Sequence, residues 1–84
     1  MKLRFYADPG HAWLAVKRDF LAKYVDLKKV STYSYQRNDS VYLEEDCDAG
    51  LLIKALKDAG KKIEVVEYHT NRSSKIRSYN HFVA

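Results

Sequence analysis

The chain has 84 residues, 46% of them hydrophobic, one cysteine and a formal net charge of +4. That length makes one small domain, residues 1–84, able to bury roughly 60% of its unfolded surface around one modest core. The lone Cys47 excludes an internal disulfide, no apolar run approaches the ~20 residues of a membrane span, and the positive balance excludes a DNA mimic.

No apolar leader follows Met1, so a reducing, cytoplasmic setting is expected. The charge is segregated. Residues 1–29 carry seven Lys/Arg against three Asp/Glu, a balance of +4. Residues 30–59 carry three against six (−3), and residues 60–84 five against two (+3). Seven tyrosines are many for this length, and tyrosine is enriched at interfaces.

Leu3, Phe5 and Ala7 alternate with Arg4 and Tyr6, the period of a half-buried strand. Asp8-Pro9-Gly10 is turn chemistry, and Ala12, Leu14 and Val16 then mark a second strand that pairs as a hairpin. From Lys17 the period lengthens, and Phe20, Leu21, Tyr24 and Val25 form one stripe of a short helix over residues 17–26. "VSTYSYQR" (30–37) and "VYLE" (41–44) flank the turn cluster "NDS" and read as a hairpin. Asp46 or Asp48 caps a second helix, whose apolar face is Leu51, Leu52, Ala55, Leu56 and Ala59. Gly60 is its C′ residue. "KKIEVVEYH" (61–69) reads as a last strand, and residues 70–84 as a flexible or loosely docked tail or a short docked strand. The expected fold class is therefore α+β in the order ββαββαβ: a small single-layer sheet, antiparallel or mixed, with two helices on one face.

Four features invite a functional reading. Asp8-Pro9-Gly10-His11 matches the strand end at which zinc amidases place a metal-binding His, but those domains are about twice as long and need a second His and a Glu; a structural turn is the preferred reading. His11, Cys47, His69 and His81 follow no ligand spacing, so no metal and no cofactor are expected. Cys47, beside a helix N-terminus, is a candidate for a lowered thiol pKa, with a structural role preferred. "EEDCDAG" offers carboxylates for a divalent ion, a partner-docking patch or helix capping, of which capping is preferred.

The other two features are surfaces. Period two puts Ser31, Tyr33, Tyr35 and Arg37 on one face, with Tyr42 of the paired strand nearby. Such a face suits stacked bases, a protein partner or simple half-burial. In "HTNRSSKIRSYNH", Arg72, Lys75 and Arg77, with Ser73 and Ser74, are candidate phosphate contacts; a solvated basic tail is the plainer explanation.

"FYADPGHAWLAV", "YSYQRNDSVYLEEDCDAG" and "HTNRSSKIRSY" together resemble a group of small proteins encoded by bacteriophages, prophages and plasmids. The shared pattern is F-Y-x-D-P-G-H-x-W-L-x-V followed by Y-S-Y-x-x-x-x-x-V-Y-L-E-E-D-C-D. Lys17 departs from it, standing where the pattern has proline. The resemblance implies a bacterial host cytoplasm and stoichiometric binding rather than catalysis. The leading expectation is thus a non-enzymatic accessory protein that binds and inhibits a host protein, in the manner of an anti-CRISPR. Its contact residues would be Tyr33, Tyr35, Arg37, Tyr42, Glu44, Glu45 and Asp46. The alternative is a nucleic-acid or nucleotide-binding module in which Tyr33 and Tyr35 stack bases while Arg72, Lys75 and Arg77 hold phosphates.

Overall fold

Alternation and turn chemistry set the first hairpin in the computed structural model, which describes residues 1–84. β1 (Lys2–Ala7) and β2 (Ala12–Lys17) pair antiparallel, with Tyr6 opposite Trp13 and Phe5 opposite Leu14. α1 (Arg18–Tyr24) follows directly and is shorter than the stripe predicts. Val25 already has extended backbone. Lys17, at the strand–helix junction, has φ −73, a value that proline also adopts.

"VSTYSYQR" does not form one long strand. Leu27–Lys29 is a 3₁₀ turn, residues 31–34 continue as turn, and β3 is only Tyr35–Arg37. The reason lies in Ser31 and Ser34, whose hydroxyls both donate to the carboxylate of Asp48, distant in sequence, instead of facing a ladder. β4 (Ser40–Glu44) pairs with β3 through the two-residue loop Asn38-Asp39. Asn38 takes φ 54, a left-handed value that Asn accepts more readily than most residues.

α2 (Ala49–Asp58) presents Leu52 and Leu56, both fully buried. Gly60 takes φ 77 just past its end, and its N–H donates to the Lys57 carbonyl, as a C′ glycine does. β5 (Glu64–His69) returns parallel to β1 at one edge of the sheet. Residues 70–79 then cross the sheet as a strap containing a 3₁₀ turn (Lys75–Ser78). They deliver a sixth strand, β6 (Asn80–His81), to β3 at the opposite edge.

The sheet order is β5-β1-β2-β4-β3-β6, mixed because β1 and β5 run parallel. The fold class is α+β as expected, but the order ββαββαβ omits the short terminal strand. Both helices pack on one face: Leu21, Leu52 and Leu56 share a core with Leu3, Leu14, Val16, Val41 and Leu43. Because side chains alternate along a strand, Tyr6, Trp13, Tyr35 and Tyr42 point to the other face, where the strap lies.

Candidate functional site

The strap is tied to the first hairpin by Asp8. The Asp8 Oδ1 accepts the N–H groups of Gly10 (3.0 Å) and His11 (2.9 Å), which closes the turn. The same carboxylate accepts Arg77 Nε at 2.6 Å and Nη2 at 2.8 Å, and the Ser74 N–H at 2.9 Å. Only 1% of the Asp8 side chain is exposed. The Arg77 guanidinium, and behind it the backbone donors, hold this carboxyl far below the usual carboxylate range, against the opposing effect of burial. Arg77 also lies over the Trp13 ring, 5.5 Å from its centroid. A Cβ at Gly10 would come within 2.8 Å of Arg77 Nη2, so the motif's glycine makes room for the clamp.

Beside the clamp opens a cleft of about 240 Å³. Trp13 and Tyr35, edge to face at 6.1 Å, form part of its wall, with Tyr35 stacked on His81 at 5.0 Å. Tyr33 stands at its rim, 69% exposed. Glu44 lies inside, only 6% exposed, opposite Trp13 across the β2–β4 ladder. Its Oε2 accepts the N–H groups of Asp46 (3.0 Å) and Cys47 (2.9 Å). Its Oε1 and the Trp13 Nε1–H are buried without a hydrogen-bond partner. His11 Nδ1 is the near neighbour of that Oε1, at 3.6 Å.

Several sequence expectations change here. Glu44, expected at a contact surface, is buried and organises the loop that precedes α2, whereas Glu45 and Asp46 are exposed. Helix capping does not explain the acidic run: Asp48 occupies the N-cap position but makes no capping hydrogen bond. It turns away and accepts the Ser31 N–H (3.0 Å), the Ser31 hydroxyl (2.6 Å) and the Ser34 hydroxyl. Ser34 Oγ in turn accepts the Glu44 N–H at 3.0 Å. Ser31 therefore does not share a strand face with Tyr33, Tyr35 and Arg37, although Tyr33 and Tyr35 do line one cleft. The Cys47 thiol is raised rather than lowered, first by its hydrogen bond to Glu44, then by burial and by the surrounding carboxylates. It stays protonated at neutral pH, unlike an activated nucleophile. The carboxylates of Glu44, Glu45 and Asp46 lie within 4.8 Å of one another, while the cleft's His81 is engaged elsewhere, its Nδ1 donating to the Thr32 carbonyl at 2.7 Å.

The basic residues are divided between two places. Arg77 lines the acidic cleft, paired with Asp8. Arg72 and Lys75 lie on the other side of the strap, in a hollow of about 440 Å³ with Tyr6, Tyr42 and Tyr79. Arg37 donates to the Tyr79 hydroxyl at 3.2 Å and sits over that ring, 5.1 Å from its centroid. Tyr42 pairs with Tyr35 across β3–β4 and packs against Tyr79 at 5.2 Å. Trp13 was not among the candidate contacts, and Gly10 and His11 were considered only within the turn motif. Tyr6 and Tyr79 were also missed, because their meeting depends on the path of the strap.

No protein-family model matches the chain, and neither the curated proteins nor the solved structures give a match. No helix is long and apolar enough to cross a membrane.

Proposed function

We propose that this chain is a non-enzymatic accessory protein of the phage type, which binds a host protein through the rim of the acidic cleft and inhibits it. The carrying observation is a charge imbalance: Arg77 is the one Lys or Arg in the cleft lining, and Asp8 neutralises it. Glu44 and Asp46 in the lining, with Glu45 next to them, leave the site net negative. The exposed ring of Tyr33 stands at the same mouth. A rim of one sign with an aromatic anchor favours a partner whose docking surface is basic. Host factors that handle nucleic acid, CRISPR–Cas effectors among them, present such surfaces.

The test is affinity capture from host lysate, with and without defence complexes, using the wild type and a Tyr33→Ala/Glu45→Gln/Asp46→Asn variant. The wild type is expected to recover a stoichiometric partner with a basic face, and the variant to lose it. Recovery of no partner, or of the same partner by both proteins, would overturn the reading. These three side chains are exposed, so their loss tests binding rather than folding.

A further inference from the structure

The acidic cleft occupies one side of the strap; the other side has the opposite character. The hollow of about 440 Å³ under Thr70–Ile76 adjoins a second one of about 450 Å³ at the sheet end where β1 starts and β2 ends. Tyr6 and Tyr42 line both, so the two lie side by side and count as one groove. The groove holds no carboxylate in its lining. Its cations are Lys2, Arg4, Lys17, Arg72 and Lys75. Lys2 and Lys17 pair with Glu64 and Asp39, but Arg4, Arg72 and Lys75 pair with no acid.

Aromatic rings share the groove with these charges. Tyr6 stacks on Tyr68 at 5.3 Å, and Tyr68 is half exposed at the sheet edge. Tyr42 and Tyr79 follow, at 5.2 Å from each other. The hydroxyls of Ser73 and Ser74 line the same wall. Unpaired cations beside tyrosine rings match what a single strand of nucleic acid presents, phosphates together with unpaired bases. A protein partner's acidic segment would use the cations but not the ring faces, and a duplex keeps its bases stacked out of reach.

We infer that this groove binds single-stranded nucleic acid, with Arg4, Arg72 and Lys75 on phosphates and Tyr68 and the adjoining tyrosines on bases. This reassigns the sequence-level pairing. Tyr33 and Tyr35 lie on the far side of the strap with the carboxylates, and Arg77 is committed to Asp8. The site is independent of the acidic cleft, so either can fail without the other.

Fluorescence anisotropy with labelled oligonucleotides of about twelve nucleotides, DNA and RNA, tests it. At about 50 mM salt a single strand should bind, and more tightly than the matching duplex. Three phosphate contacts give a slope of log K against log salt of about −2. Arg72→Gln/Lys75→Gln should flatten that slope by more than half and weaken binding on the order of ten-fold or more. Tyr68→Ala should weaken it about ten-fold with the slope unchanged. Lys54→Gln/Lys57→Gln, which removes two cations from α2 on the opposite face, should leave binding within about two-fold. Circular dichroism checks that each variant is folded. Failure to bind any strand, an unchanged slope in the Arg72/Lys75 variant, or equal affinity for a duplex, a free mononucleotide or a polyanion such as heparin would each overturn the inference.

Discussion

The two faces of the sheet are filled by different chemistry. On the helix face, Leu14, Leu21, Leu43, Leu52 and Leu56 are fully buried and carry no polar atoms. On the strap face, Trp13 is equally buried, but around it are tyrosines, an ion pair and a carboxylate. The first arrangement is held by burial of apolar surface, which is non-directional and tolerates repacking. The second is held by a few directional contacts converging on Asp8. Such a face can expose its edges to solvent and to partners while the Asp8 clamp and the pairing of β6 with β3 hold its cover in place. Stability is expected to reside in one face and recognition in the other.

The sharpest way to break the comparison is to weaken each face separately. Leu52→Ala should cost about 2–5 kcal/mol of unfolding free energy, measured by chemical denaturation, with all probes moving together. A transition that splits would show that the helix face is not the cooperative core.

Asp8→Asn should act on the strap first. Its expected effect is a drop in Tm on the order of 5–10 °C. Faster amide exchange across residues 70–79 and a shift in Trp13 fluorescence should accompany it. Combining it with Arg77→Gln should add little, since both remove the same contact. The pH dependence has a definite sign. The folded-state pKa of Asp8 is depressed, so its stabilisation is fully present above the unfolded carboxylate value of about 3.9 and is lost as pH falls below it. Between about pH 5 and pH 2 the wild type should therefore lose stability more steeply than Asp8→Asn. Parallel curves would mean that the clamp contributes nothing.

Gly10→Ala should have the smallest effect. The new Cβ comes within 2.8 Å of Arg77 Nη2, the far end of a flexible side chain, which must shift on Asp8 to make room. The expected change is a Tm lower by a few degrees, about 1 kcal/mol or less, with the Arg77→Gln background insensitive to it. An equal effect in both backgrounds would place the constraint in the turn itself.

Much of this architecture was legible in the chain. Period two in Leu3–Ala7 and Ala12–Val16 specified the first hairpin, and Leu52, Leu56 and Gly60 specified α2 and its end. Asp8-Pro9-Gly10 was correctly a turn. Hidden from that reading was the second use of Asp8, because its partner lies 69 positions away. The acidic run was misread for a related reason. Asp48 looks like a cap, and the competing donors Ser31 and Ser34 are remote from it in sequence. Residues 31–34 looked strand-like by composition, but the long-range hydroxyl bonds of Ser31 and Ser34 to Asp48 outweighed that preference.

By itself, then, the sequence determined the α+β class, the hairpins, the helical face and the segregation of charge, since these follow from nearest-neighbour periodicity and turn chemistry. Only the tertiary structure decided that Tyr33 keeps company with acids and Arg72 with tyrosines. That outcome depends on which way residues 70–79 cross the sheet. Their path is set by long-range contacts, the Asp8–Arg77 clamp at one point and the pairing of β6 with β3 at the end, which no local pattern encodes.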